Sequence, residues 1–219
     1  TSPTVVVSDV RSINSVFSEE SLSVTGSGRL TLGASGKFMS VGISSGGLLN
    51  VTAGGDKTVR TTLLSIAGTG KLDLFDNDLL VDYTGATPLA TIQSLINSAR
   101  NFGAWDGSGI TSSSALNNPD GITTLGAMEA SDYQSVHGPS ATFDGHTLDS
   151  TVVLVKYTYF GDADFNGVVN LDDYSLVDGG YLMNLTGWLN GDFDGLGGKP
   201  DLDDYSLIDA AFLTQGSPL

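Results

Sequence analysis

Asp162, Asp164, Asn166, Gly167, Val168, Asn170 and Asp173 stand at places one, three, five, six, seven, nine and twelve of one short segment. Alternate residues of a tightly turning loop point toward one centre, and glycine at the sixth place permits the bend that closes a coordination shell. The spacing is therefore that of a calcium loop, with five side-chain oxygen donors and the Val168 carbonyl. The closing ligand is Asp rather than Glu, whose shorter reach draws the following helix toward the ion. Asp162, Asp164 and Asp173 would repel one another by about 4 kcal/mol per pair at ~4 Å under an effective dielectric near 20. Without a cation the loop is expected to open.

A second copy follows, from Asp192 to Asp204, one residue longer. Asp192, Asp194, Asp201 and Asp204 remain as side-chain ligands, and carbonyls near Leu196 and Lys199 are expected to fill the arc served by Asn166 and Val168 in the first loop. Two calcium ions are thus the expected cofactors. Between Leu171–Asp178 and Leu202–Asp209 seven of eight residues are identical, so each loop leads into a similar apolar helix, read as packing on its twin through Tyr174, Leu176, Val177 and Leu182 in one and Tyr205, Leu207, Ile208 and Phe212 in the other. A merely solvated acidic surface would not duplicate a six-position ligand pattern with its glycine.

These loops occupy a stretch of distinct composition. Residues 159–219 hold eleven Asp, no Glu and one basic residue, Lys199. Asp favours turns and coordinating loops where Glu favours helices, so a module boundary is drawn at 158/159. Residues 1–158 are rich in Gly, Ser, Thr, Val and Leu. Four phrases, Gly28–Leu32, Gly36–Val41, Gly47–Val51 and Gly70–Leu74, vary one theme of a glycine followed by apolar alternation, with room for a degenerate copy near Thr61–Ile66. The fold class is mainly β, as a β-solenoid or a meandering β-sandwich. The solenoid is preferred because units burying two or three side chains gain stability by stacking on copies of themselves. Pro3–Val10 reads as an edge strand or arm. Leu89, Ile92, Leu95, Ile96 and Ala99 recur at helical spacing behind Thr87 and Pro88, which predicts one amphipathic helix over 88–100. Residues 101–119 read as a long loop pinned by Trp105, and strands are expected at Ile122–Ala130 and Ser150–Phe160.

On the two loops and their helices, the last 55 or so residues resemble the dockerin family, small α-helical modules with two EF-hand-like calcium loops related by a pseudo-twofold axis. The resemblance implies a cohesin-like protein as a possible partner, but at the positions that help dockerins recognise cohesin this chain has Leu171-Asp172 and Leu202-Asp203 instead of Ser-Thr pairs. The wider layout, glycine-rich autotransporter-like β repeats leading into such a pair, is similar to secreted planctomycete-type proteins and implies export.

The remaining chemistry is thin. Cysteine is absent and histidine occurs only at His137 and His146, which leaves hard cations held by oxygen. A formal charge of −16 disfavours nucleic acid and anionic surfaces. No apolar run reaches the roughly 18 residues of a membrane span. Gly42–Gly46 matches a hydrolase elbow around Ser44 but lacks the strand-to-helix flanks, and His137 and His146 read as ordinary loop residues. The opening Thr1 is read as a removed leader or a fragment boundary. The expectation is a secreted, non-enzymatic structural protein, extracellular or on the cell surface, stabilised by calcium and assembling with itself through strand edges into a filament or layer. The alternative is a polysaccharide-binding or polysaccharide-degrading module tethered by its tail, for which Trp105, Tyr133 and Tyr157 could stack on sugars, although packing in the core is their preferred reading.

Overall fold

The structure, a computed structural model, describes residues 4–14, 16–17 and 20–219. The first twelve strands wind into a β-solenoid of about four turns with three strands per turn. The turns are β1 (Thr4–Val7), β2 (Val10–Ile13) and β3 (Val16–Phe17); β4 (Ser21–Thr25), β5 (Arg29–Leu32) and β6 (Gly36–Phe38); β7 (Ser40–Ser44), β8 (Leu48–Val51) and β9 (Thr58–Thr61); and β10 (Leu64–Ile66), β11 (Lys71–Asp73) and β12 (Asp78–Asp82). Every pairing among these strands is parallel. A meandering sandwich would pair its strands antiparallel, so the sandwich reading falls away.

The true repeat is longer than the glycine phrases imply. Thr4 pairs with Ser21, Ser21 with Ser40 and Val41 with Leu64, so one circuit takes 17, 19 and 23 residues. Gly28–Leu32, Gly47–Val51 and Gly70–Leu74 stack on one face, while Gly36–Val41 spans a corner between two other faces. The phrases look alike because every strand meets the same demand, a turn followed by alternate inward apolar residues. In register, Leu30, Leu49, Leu72 and Ile110 form one interior ladder, each at most 2% exposed. A fully buried side chain of this size contributes about 1.5–3 kcal/mol.

The two ends of the solenoid are finished differently. At the first turn Arg11 pairs with Leu30, continuing that ladder with a charge, and is held in a two-bonded ion pair by Asp9 at 2.6 and 2.8 Å. The strand segment read as an arm is this first turn: β1 lies at the edge of its sheet, with Val7 buried and Val6 exposed; Pro3 lies outside the described residues. At the other end α1 (Leu89–Arg100) closes the interior with Ile92, Ile96 and Ala99. Thr87 Oγ1 accepts the Leu89 N–H at 3.1 Å. The helix sits on β13 (Gly109–Thr111) so closely that a Cβ at Gly109, where φ is +125°, would lie 2.2 Å from the Leu95 carbonyl. The 101–119 segment is indeed pinned by buried Trp105, but it also contains β13 and the short helix α2 (Ser113–Leu116).

The third sheet continues past the solenoid through β14 (Thr123–Glu129) and β17 (Val152–Tyr159), giving the order β14-β17-β12-β9-β6-β3, in which β17 pairs antiparallel with both β12 and β14. Between them lie α3 (Ala130–His137) and the hairpin of β15 (Thr142–Phe143) and β16 (His146–Thr147). The inner face of this wall gives Leu79, Val81, Val153 and Val155 to the solenoid core. Its outer face gives Leu80, Met128, Val152 and Leu154 to a second core, shared with α4 (Leu171–Met183) and α5 (Leu202–Thr214). The composition boundary at 158/159 thus falls at the end of β17, but the second core crosses it. Trp188 and Phe165 seat on Gly126 of β14, where an added Cβ would meet both rings at 2.6–2.7 Å. Gly126→Val is therefore expected to lower stability by about 1–3 kcal/mol through overpacking and to raise protease sensitivity after Tyr159 before the solenoid unfolds, measurable by limited proteolysis against thermal melting.

Candidate metal centre

Both acidic loops close as their spacing requires. One carboxylate oxygen from each of Asp162, Asp164 and Asp173 lies within 4.8 Å of the others, and the same holds for Asp192, Asp194 and Asp204. In the first loop all three are buried. Asp173 is the third residue of α4: its Oδ2 accepts the Asn170 N–H at 2.8 Å, and its Oδ1 accepts those of Ala163 at 2.8 Å and Asp164 at 3.4 Å. Asp173 therefore fixes the loop and starts the helix together. Asp204 repeats this at α5 with the N–H groups of Asp201, Phe193 and Asp194.

Asp162 differs from the rest. Its Oδ2 accepts the Thr158 hydroxyl and the Gly167 N–H, the latter at 3.0 Å, whereas its Oδ1 is sealed from solvent with no hydrogen-bond partner in the structure. An orphaned anionic oxygen inside a protein is costly, and this one belongs to the carboxylate grouped with those of Asp164 and Asp173. The donor set is all oxygen and multiply charged, which fits a hard divalent cation. Gly167 takes φ +88° at the sixth place, and a Cβ there would lie 2.2 Å from the Leu219 carbonyl.

The other expected ligands are placed as follows. Asn166 binds Asp164 through its N–H at 2.9 Å and its Nδ2 at 3.0 Å, and its Oδ1 accepts the Val168 N–H. Asn170 and Asp201 cap α4 and α5, accepting the N–H of Asp172 at 2.7 Å and of Asp203 at 2.9 Å; Asp201 is not one of the three converging carboxylates of its loop. Leu196 has an exposed side chain, and Lys199 Nζ lies 4.0 Å from the centre of the Tyr181 ring. The helices meet through Tyr174, which donates to Asp209 at 2.5 Å and packs edge-on against Phe212, and through Tyr205, which donates to Asp178 at 2.6 Å; Leu182, expected in that packing, is exposed instead.

Burial perturbs the acids. Desolvation, reinforced by Asp173 and Asp164 against the Thr158 hydroxyl bond, pushes Asp162 up to about 7; desolvation lifts Asp173 and Asp192 to about 6 each and raises Asp204.

Several contacts were invisible in the sequence. Arg100 at the end of α1 donates to the Phe193 carbonyl at 3.3 Å and to that of Asp194, and Asn97 Nδ2 donates to Gly195 O at 2.6 Å, so the solenoid cap grips the second loop. His137 ends α3 instead of lying in a loop, and its Nε2 is 2.6 Å from the Asp164 carbonyl. His146 lies in β16. Ser44 ends β7 and is followed by a turn and β8, not by the helix a nucleophile elbow needs. Trp105 and Tyr157 are buried and Tyr133 packs edge-on against Phe143, so the aromatics proposed for stacking serve the core. Outside the loops, the carboxylates of Asp78 and Asp144 were also missed: burial raises Asp78 well above its ordinary value, with Asp144 adding to this against Lys156.

Set against family models, curated proteins and solved structures, the chain matches none. Among the described residues no helix is long and apolar enough to cross a membrane.

Two outcomes follow from the titrations. The raised acids of the loops bind protons more readily folded than unfolded, so the ion-free protein should lose stability as pH rises from about 5 to about 8. Calcium should remove that loss, because the ion takes the place of the protons. Melting temperatures with chelator and with millimolar calcium across this range check both, and Asp162→Asn should flatten the ion-free profile while weakening calcium binding at least about tenfold. Asp78→Asn keeps an acceptor for the Tyr157 N–H, bound now at 2.9 Å, and should raise the melting temperature near pH 8 more than near pH 5.

Proposed function

We propose that this chain is a non-enzymatic structural protein of the cell exterior, a β-solenoid carrying a dockerin-like helical pair locked by two calcium ions. The observation that carries this reading is the buried, unpartnered Oδ1 of Asp162 within the Asp162, Asp164 and Asp173 cluster, together with the duplication of that cluster at Asp192, Asp194 and Asp204. Both loops are rooted in the fold. Phe165 of the first loop and Phe193 of the second flank Trp188, with ring centres 5.8 and 5.1 Å apart, and Trp188 Nε1 donates to the Asp162 carbonyl at 2.8 Å. Ions bound there would tie α4 and α5 to the outer face of the third sheet. The chemistry is that of a clasp. Extracellular calcium is millimolar, enough to fill sites at the weak end of the known range.

For assembly, the reading assigns the outer edge of β1, where Val5 and Val6 are exposed and no described strand pairs beyond it. The neighbouring β2 carries the exposed Arg11–Asp9 pair, charges of the kind that oppose strand addition. Self-association would thus run through one sheet, not through the whole cross-section.

Titration calorimetry of the chelator-treated full chain is expected to show two calcium ions per chain, and calcium removal to melt the helical pair first. Fewer than one ion per chain would refute the clasp. Deletion of residues 1–10 should abolish calcium-supported assemblies seen by electron microscopy; assemblies unchanged by the deletion would refute the role of β1 alone.

A further inference from the structure

We infer that the cleft between the solenoid cap and the second acidic loop is a binding site for a neutral oligosaccharide, with Phe102 as its stacking platform. The cleft encloses about 850 Å³, within the range of small-ligand sites, and is walled by the end of α1 and the segment after it, the α2–β14 connection, the second loop and the side of α5. At its rim Phe102 is 96% exposed, the most exposed of the large apolar side chains described. Its backbone is left-handed, φ +56° and ψ +28°, which a bulky residue seldom adopts. Asn101 and Gly103 beside it, at φ +40° and +100°, are of the types that tolerate positive φ.

The ring is held out by a rigid base, not left loose. The Trp105 N–H donates to the Arg100 carbonyl at 2.9 Å, that of Ala104 to the Asn101 carbonyl at 3.2 Å, and Asn101 Nδ2 to Asp106 Oδ1 at 2.8 Å, while the Trp105 side chain is buried beneath. A strained, well-anchored segment that displays an unpacked aromatic ring is preorganised for a ligand. Nothing in the core uses this ring.

The rest of the lining selects the ligand. Asp120 and Asp203 line the cleft with carboxylates that accept no hydrogen bond in the structure. Arg100, the cation of the lining, already spends donors on the Phe193 and Asp194 carbonyls. Uronates, sulfated glycans and phosphates meet net repulsion there. A neutral pyranose offers what the site lacks: hydroxyl donors for free carboxylates and an apolar C–H face for an aromatic ring. This inference stands beside the structural reading and shares with it only the wall formed by the second loop.

The test uses the calcium-loaded full chain, with ion stoichiometry measured on the same sample so that failure of the clasp and failure of the cleft are told apart. Affinity electrophoresis in gels containing laminarin, xylan, galactomannan or hydroxyethylcellulose, with polygalacturonate as the anionic comparison, should show retardation by at least one neutral polymer and none by polygalacturonate. Phe102→Ala, which removes no packing, should weaken that retardation about tenfold or more, and Asp120→Asn should weaken it less. Absence of retardation by every neutral polymer with two ions bound, equal retardation of Phe102→Ala and the parent, or preferential retardation by polygalacturonate would each overturn the proposal.

Discussion

The third sheet has water on neither side along β12, β14 and β17, and the rest of the architecture follows from that double burial. A strand buried on one face needs apolar residues only at alternate positions; one buried on both needs them throughout. Leu79-Leu80-Val81 and Val152-Val153-Leu154-Val155 meet this demand, sending odd-numbered side chains into the solenoid and even-numbered ones into the helical core. Neither core is complete without the wall. The helical pair is thus a layer laid on a sheet, not an appendage on a linker.

That placement also sets the electrostatics of the acidic loops. Asp162 leaves the wall directly after β17, with Thr158 of the strand bonded to one oxygen and the other oxygen sealed without a partner. An exposed acidic loop would spread its repulsion into solvent, whereas here burial raises the proton affinity of Asp162 and Asp173 until protons or a cation must compensate. The second loop is less enclosed, and its compensation is partly supplied from the other side of the molecule, where Arg100 and Asn97 hold its carbonyls. Similar sequences therefore sit in unlike surroundings, one rooted in the sheet and the other held by the helix that closes the solenoid.

The ends of the solenoid are equally unlike. An amphipathic helix seals one, with Ile92 and Ile96 completing the interior. At the other, the Leu30 ladder ends on Arg11 held by Asp9, while β1 keeps an unblocked edge. The two ends thus present unlike surfaces, a helix at one and a strand edge beside an ion pair at the other.

The sequence alone determined what depends on neighbours a few residues apart. The acidic spacing of both loops, the glycine at Gly167, the helices that follow and the amphipathic stretch ending at Arg100 are short-range patterns, and the structure shows converging carboxylates and helices there. The inward alternation of the strands was equally legible, and it was enough to favour a solenoid. It could not reveal how many strands make a turn, because the residues on every face obey one rule and the pairing partner lies 17 to 23 positions away. Tertiary structure alone decided that Phe102 is left exposed, and that Arg100 reaches a loop 94 residues distant. Exposure and long-range contact depend on what the rest of the chain leaves uncovered, and local residue types carry no record of that.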